Sequence, residues 1–388
     1  MATTQMNPEQ AVRERYSQAA AAREQALCCP VDYDPQYLEV IPEEILERDY
    51  GCGDPSKHLS PGETVLDLGS GGGKICYIAS QVVGPEGKVI GVDMNDDMLA
   101  LAAKHQGPIG ETLGYQNVEF KKGRIQDLAL DYRKLGARLA TSPVRTVEDL
   151  AKLESWKARE RRESPMIPSA SIDVVVSNCV LNLVDPEAKS ELFREMHRVL
   201  KKGGRAVISD IVSDEDVPEH LQADPELWSG CISGAFREAL FLKAFEDAGF
   251  YGIEILARDD APWQTVAGIE FRALTVRAFK GKEGPCLERK QALIYKGPWR
   301  SVTDDDGHTF FRGERMAVCD KTFRIYAQEP YRESIDLIEP YQEVPLSEAA
   351  AFNCRKDAVR HPRESKGLDY HVTEMTDAPT CGPDGNCC

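Results

Sequence analysis

One stretch of sequence decides the fold: Glu63-Thr-Val-Leu-Asp67-Leu-Gly69-Ser70-Gly71-Gly72-Gly73-Lys74. Its first half is β-branched and aliphatic, which predicts a strand that enters a glycine-rich turn. The residues after the turn predict a helix with one apolar face, formed by Ile75, Ile78, Ala79, Val82 and Val83. A strand, a tight glycine loop and a helix together are typical of the opening of a nucleotide-binding βαβ unit.

The spacing of the glycines indicates which nucleotide is bound. A dinucleotide fingerprint G-x-G-x-x-G beginning at Gly69 would need its third glycine at Lys74, so the pattern that fits is D-x-G-x-G-x-G. Asp67 would repel a pyrophosphate but can hold the ammonium group of a methionine moiety. The second strand ends at Asp93, whose carboxylate can accept both ribose hydroxyls. We therefore predict an S-adenosylmethionine site; the alternative is a doubly wound domain whose glycines serve only the turn.

The sequence around this unit predicts an α/β fold. Residues 62–281 alternate strand and helix, so we expect a Rossmann-like class I methyltransferase sheet, mostly parallel, with seven strands. The strand Ile172–Asn178 ends at the same sheet edge as the glycine loop, and ligands bind beyond such edges. The loop after the third strand commonly encloses adenine. The predicted cofactor-binding residues are Asp67, Gly69, Ser70, Gly71, Gly73, Asp93, Met94, Ile125 and Asn178.

The regular alternation stops after Gly281, and a chain of 388 residues is long enough for about two or three domains. The expected segments are a helical cover (1–61), the methyltransferase domain (62–281) with a charged surface insertion (131–168), a small β-rich extension (282–346) and a mobile cysteine-containing tail (347–388). Within the insertion we predict a helix around Thr146–Arg162. Within the extension we interpret Phe323-Arg-Ile-Tyr326 as a strand.

Composition argues against several classes of partner. Asp and Glu number 64 against 47 Lys and Arg, and the resulting charge of −17 disfavours nucleic acid or an anionic membrane. No apolar run approaches about 18 residues, and the polar N-terminus lacks a signal-peptide core. We therefore expect a cytoplasmic protein without nucleic-acid or membrane partners, and we interpret it as a monomer.

Twelve cysteines are unusual for a reducing compartment. They are too dispersed for a small disulfide scaffold, and no C-x-x-C pair marks a zinc knuckle. Three lie on predicted loops: Cys52 between glycines, Cys179 at a strand end, and Cys231 among small residues. Taken alone, Cys52 could instead be a bystander surface thiol, and Cys179 a buried structural residue. A cluster of loop thiols at one sheet edge would nevertheless suit a soft ligand.

Four segments resemble arsenite S-adenosylmethionine methyltransferases: D-Y-G-C-G-D-P (49–55), L-D-L-G-S-G-G-G (66–73), V-S-N-C-V-L-N-L (176–183) and L-W-S-G-C-I-S-G-A (227–235). The resemblance covers residues 10–281. It implies that Cys179 and Cys231 bind trivalent arsenic. It also implies that Cys52 and one of Cys28 and Cys29 take part in a redox half-cycle. The insertion and the C-terminal extension depart from the family pattern.

The resemblance implies arsenite and methylarsenite as substrates, S-adenosylmethionine as methyl donor and an external thiol reductant of the thioredoxin or glutathione type. Trivalent arsenic is thiophilic and takes three ligands, so Cys52 is a candidate third ligand beside Cys179 and Cys231. Two alternatives stay open. One is a methyltransferase for another metalloid or an organic acceptor of the quinone or sterol kind. The other is a non-catalytic, thiol-rich metalloid sensor or sequestering protein.

Overall fold

The structure is a computed structural model that describes residues 8–22, 24, 31–354 and 358–366. Cys28, Cys29 and most of the predicted mobile tail lie outside the described residues. The chain divides into two compact units, Met1–Gly281 and Lys282–Cys388. Within the described residues, no helix combines the length and apolar character needed to cross a membrane.

One sheet dominates the first unit, with nine strands among the described residues. They are β1 (Thr64–Leu68), β2 (Lys88–Asp93), β3 (Val118–Lys122), β4 (Ile172–Asn178), β5 (Leu200–Ser213), β6 (Phe236–Arg237), β7 (Tyr251–Arg258), β8 (Gln264–Val266) and β9 (Ile269–Phe279). The main order is β3-β2-β1-β4-β5-β9-β7, with β6 beside β5 and β8 beside β9. Strands β1 to β5 pair in parallel, whereas β9 is antiparallel to β5, β7 and β8. The predicted mostly parallel Rossmann-like sheet is confirmed, with two short edge strands beyond the seven expected.

Helices cover both faces of this sheet. Those described in the first unit are α1 (Pro8–Ala21), α2 (Glu43–Glu47), α3 (Lys74–Val83), α4 (Asp96–Leu113), α5 (Tyr132–Thr141), α6 (Val147–Glu163), α7 (Pro186–Val199), α8 (Glu219–Gln222), α9 (Pro225–Ser229) and α10 (Glu238–Asp247). The helix predicted in the charged insertion is confirmed as α6. The Thr146 side chain accepts from the Asp149 N–H at its N-terminus, and Asp149 reciprocates in a capping box.

The core follows from the two-residue period of the central strands. Val65 and Val174 pack in the apolar layer that contains α3 and α4, while Leu66 and Val175 pack in the layer that contains α7 and α10. Both faces of β1 and β4 are therefore buried, which explains why these strands are continuous apolar runs. The strand order changes direction between β1 and β4, so a cleft is expected beyond their carboxyl ends.

The second unit is rich in short strands, as predicted for residues 282–346. In the segment that was expected to be a mobile tail, Ala350–Ala351 form a strand and Pro362–Lys366 form a helix. Its described elements are β10 (Leu287–Glu288), β11 (Ala292–Tyr295), β12 (Ser301–Thr303), β13 (Thr309–Phe311), β14 (Arg315–Ala317), α11 (Asp320–Tyr326), β15 (Ile335–Ile338), β16 (Ala350–Ala351) and α12 (Pro362–Lys366). The strand predicted at Phe323–Tyr326 is wrong. The segment is helical because Cys319 caps α11 through its sulfur, and because Phe323 and Tyr326 share one buried face.

Candidate functional site

A cavity of about 300 Å³ opens where the sheet order changes direction, beyond the ends of β1 and β2. Its volume falls in the range of small-molecule sites. Five of the predicted cofactor-binding residues line it: Gly69, Gly71, Asp93, Met94 and Ile125. The glycine loop and the second strand therefore meet at one site, as their spacing in the sequence suggested.

Asp93 organises the wall of this cavity. Its Oδ2 accepts a hydrogen bond from the Gly71 N–H at 2.8 Å, and its Oδ1 accepts one from the Asn95 N–H at 2.8 Å. Burial raises the pKa of this carboxyl group, although the backbone donors oppose the shift. Gly69 adopts a φ of 72°, and a Cβ there would collide with the Val180 side chain. Only glycine can make this close turn at the mouth of the cavity.

The four other predicted cofactor residues do not line the cavity. Asp67 lies buried beneath the loop, where the Cys76 thiol donates to its Oδ2 at 3.2 Å and burial raises the pKa of Asp67 to about 7. Gly73 caps α3, and its missing side chain makes room for the Phe120 ring. The Ser70 hydroxyl is buried without a hydrogen-bond partner among the described residues. Such an orphaned polar atom suits a site that a polar ligand completes.

The fourth residue, Asn178, instead holds the loop that carries Cys52. Its Oδ1 accepts from the N–H groups of Cys52 at 2.8 Å and Gly53 at 3.1 Å, and its Nδ2 donates to the Gly53 carbonyl at 2.7 Å. A Cβ on Gly51 would collide with the Asn178 amide, and one on Gly53 would collide with Ser209. The glycines beside Cys52 thus allow its loop to lie directly on the strand ends.

Helix α1 forms a wall of the cavity that sequence reasoning missed. Val12, Arg13 and Tyr16 line the cavity, and the Asn95 side chain donates to the Arg13 carbonyl at 3.2 Å and to the Ser17 hydroxyl at 3.0 Å. The only signal in the sequence was helical periodicity, which indicates a helix but not the surface that it covers.

The three loop cysteines lie together. Cys52, Cys179 and Cys231 are 7%, 4% and 3% exposed, and all belong to one apolar cluster. The Cys231 thiol donates to the Cys179 carbonyl at 3.2 Å. The Tyr16 hydroxyl, on a residue that also lines the cavity, is 3.8 Å from the Cys231 sulfur. The cysteine cluster therefore adjoins the cavity, and Tyr16 contacts both.

Cys179 and Cys231 share an uncommon backbone conformation. Their φ angles are 64° and 62°, in the left-handed region that costs a non-glycine residue about 1–3 kcal/mol. Hydrogen bonds maintain the first of these turns, since the Cys179 N–H donates to the Ser209 carbonyl at 2.8 Å. Such conformations cluster at functional sites, so the two thiols are candidates for a functional role. No pattern in the sequence predicted this backbone conformation.

Comparisons with known proteins identify relatives of this chain. Residues 59–140 and 147–249 match a family described as a methyltransferase domain, and residues 282–370 match a domain of unknown function. The arsenite methyltransferase of Aquipseudomonas alcaligenes is 32% identical over 314 residues, which cover 77% of this chain and 80% of that protein. The mouse (Mus musculus) arsenite methyltransferase is 28% identical over 371 residues, which cover 92% of this chain and 89% of that protein.

A solved structure is similar in fold. It is that of an arsenic(III) S-adenosylmethionine methyltransferase from Chlamydomonas reinhardtii, with a TM-score of 0.52 and 24% identity, covering 85% of this chain and 99% of that one. The sequence relatives extend the similarity through most of the chain. On these grounds the chain belongs to the arsenite methyltransferase family.

Proposed function

We propose that the chain transfers methyl groups from S-adenosylmethionine to trivalent arsenic that is held by its own buried cysteines. One observation carries the proposal: Cys179 and Cys231 are buried together, both in left-handed turns, beside the cavity lined by Asp93. Neither alternative is favoured. A methyltransferase for an organic acceptor would not need three clustered thiols. A non-catalytic sensor would not need the adjoining cofactor cavity.

The cysteines bind arsenic because thiolates are soft ligands and trivalent arsenic is a soft acceptor. Each thiol that replaces a hydroxide on arsenous acid gives its proton to that hydroxide, which leaves as water. Cys52, Cys179 and Cys231 can supply three sulfur ligands and leave one lone pair on arsenic. The apolar surroundings of the cluster keep water away from the bound substrate. Fixed thiols would then aim the lone pair, and orientation can account for much of the rate.

S-adenosylmethionine supplies an electrophilic methyl group when it is bound. The residues of the cavity fit this cofactor: Asp93 offers an acceptor for the ribose, Ile125 an apolar contact for the adenine, and the glycine loop close backbone approach. Helix α1 excludes solvent from the side of the cavity that Val12 and Tyr16 line. No general base is required, because the arsenic lone pair carries no proton.

Methylation formally oxidises arsenic, and the remaining cysteines can reverse this change. A thiolate at Cys28 or Cys29 attacks the sulfur of Cys52, a disulfide forms, and the electron pair of the broken arsenic–sulfur bond returns to arsenic. The methylated arsenic is again trivalent and keeps its bonds to Cys179 and Cys231. An external thiol of the thioredoxin or glutathione type then reduces the disulfide. A reducing compartment such as the cytoplasm, which we propose for this chain, would supply that thiol.

Product analysis tests the activity. Purified protein is incubated with labelled S-adenosylmethionine, arsenite and a thiol, and arsenicals are separated by chromatography. Labelled methylarsenicals are expected, in amounts that rise with time and enzyme. Turnover of a quinone-type acceptor together with none of arsenite would contradict the proposal, and absence of any turnover would favour a sensor.

Asp93→Ala is expected to weaken binding of S-adenosylmethionine by at least about a hundredfold. Two hydroxyl hydrogen bonds to a charged acceptor are lost, each worth about 1.5–3 kcal/mol, and each 1.4 kcal/mol is about tenfold in affinity. Isothermal calorimetry measures the change. The matched control is Asp96→Ala, since Asp96 is an exposed neighbour that pairs with Lys122 and does not line the cavity. An unchanged affinity in Asp93→Ala would remove this residue from the cofactor site.

A further inference from the structure

Three buried polar residues contact the loops that carry Cys179 and Cys231, and they have no part in the chemistry described above. Asn182, Lys189 and Asp210 are 0%, 8% and 1% exposed. None of them lines the cofactor cavity. Burying an amide and two ionisable groups is costly unless each makes specific hydrogen bonds, so the partners of these groups reveal their role.

Asn182 links the two cysteine loops directly. Its Nδ2 donates to the Cys231 carbonyl at 3.2 Å and to the Ile211 carbonyl at 2.6 Å. Its Oδ1 has no hydrogen-bond partner among the described residues. The side chain therefore acts here as a donor alone. The two loops also touch, because a Cβ on Gly234 would collide with the Asn182 carbonyl.

Asp210 holds the turn that carries Cys179. It lies near the carboxyl end of β5, where its Oδ2 accepts from the Leu181 N–H at 2.7 Å and its Oδ1 accepts from the Ile211 N–H at 2.8 Å. The same carboxylate thus fixes the peptide two residues beyond Cys179 and the strand to which Asn182 is bonded. This arrangement ties the Cys179 turn to the carboxyl end of β5.

Lys189 holds the loop that carries Cys231. From α7 its ammonium group donates to the Gly234 carbonyl and lies 4.1 Å from the centre of the Phe236 ring. Burial lowers the pKa of Lys189 to about 8, while the charge of Asp210 opposes that shift.

We infer that Asn182, Lys189 and Asp210 are positioning residues that fix the separation of the Cys179 and Cys231 sulfurs. The inference rests on the proposed function, since a fixed separation matters only if one arsenic atom bridges the pair. Left-handed cysteines would relax towards ordinary backbone angles if these hydrogen bonds were absent. A relaxed pair could still offer two thiols, but at the wrong distance for a single small atom.

The test compares arsenite, which needs both thiols, with iodoacetamide, which reacts with a single thiol. Asn182→Leu removes the donor and keeps the branch at Cγ, and Lys189→Met removes the ammonium at similar length. Arsenite affinity is measured by equilibrium dialysis, the alkylation rates of Cys179 and Cys231 by iodoacetamide and peptide mapping, and S-adenosylmethionine affinity by calorimetry. Lys189→Arg, which keeps a cation, should recover part of the lost arsenite affinity.

Matched controls exist in the same chain. The Asn117 side chain likewise donates to two carbonyls, those of Ser80 and Gly84, but away from the cysteines. Lys243 lines the same surface cavity as Lys189 and pairs with exposed Asp247. Asn117→Leu and Lys243→Met are expected to leave arsenite affinity unchanged.

We expect arsenite affinity to fall by about tenfold or more in Asn182→Leu and Lys189→Met, since small misplacements of fixed groups have large effects. The alkylation rates and S-adenosylmethionine affinity should change by no more than about twofold. Wild-type arsenite affinity in both variants would overturn the inference. A uniform rise in alkylation of all cysteines would also overturn it, because the residues would then serve general stability. If the wild-type protein itself bound no arsenite, the proposed function would be contradicted, and the inference that rests on it would be contradicted too.

Discussion

Cys179→Ser and Cys231→Ser are each expected to lower methylation of both arsenite and monomethylarsenite by at least about a hundredfold. A serine hydroxyl is a hard ligand and a poor substitute for a thiolate on trivalent arsenic. The loss of one bond also frees the substrate to rotate, and misplacement by about 1 Å can cost about a hundredfold in rate. Initial rates of product formation, followed by chromatography for each substrate, measure the effect.

The control for this pair is Cys319→Ser. Cys319 is equally buried, at 3% exposure, but belongs to the second unit, where its sulfur caps α11. A serine can cap the same helix, so activity should persist. S-adenosylmethionine affinity should stay at the wild-type value in all three variants. Substantial activity in Cys179→Ser would eliminate the proposed arsenic site.

Cys52→Ser is expected to separate the two substrates. Arsenite can use three sulfur ligands, whereas monomethylarsenite already has one arsenic–carbon bond and can use only two. The variant should therefore lose arsenite methylation by at least about a hundredfold and keep substantial activity on the monomethyl species. The loop itself should survive, because Asn178 bonds the backbone of Cys52 and not its sulfur.

The same two assays provide the measurement for Cys52. Equal loss on both substrates would contradict the assigned role and make Cys52 an obligate ligand or a structural residue. The natural comparison is Cys179→Ser, which should lose activity on both substrates.

Local signals account for the part of this structure that the sequence predicted well. The glycine turn is decided by a few neighbouring residues, because Gly69 and Gly71 adopt positive φ angles that other residues rarely tolerate. The position of Asp93 at the cavity was predictable because the residue ends the second strand. The continuous apolar runs of β1 and β4 follow from burial on both faces. These features need little information from elsewhere in the chain.

The parts that sequence reasoning missed depend on distant contacts. Asp210 accepts from the Leu181 N–H, two residues after Cys179, and Asn182 donates to the Cys231 carbonyl. No local pattern in the sequence connects these partners to the two left-handed turns. Asn178 was expected to contact the cofactor, yet its amide is used by a loop 125 residues earlier in the chain. Phe323–Tyr326 has the composition of a strand, but a cysteine cap and one buried face make it helical.

Chemical transfer on the protein itself tests the central claim most directly. The enzyme is loaded with one equivalent of arsenite, freed of excess arsenite and external thiol, and mixed with labelled S-adenosylmethionine for a single turnover. Arsenic is then released by a strong dithiol and separated by chromatography. We predict that the label appears on arsenic as a monomethyl species, and that Cys179→Ser abolishes it. Retained arsenic that stays unlabelled in the wild-type enzyme would contradict the account.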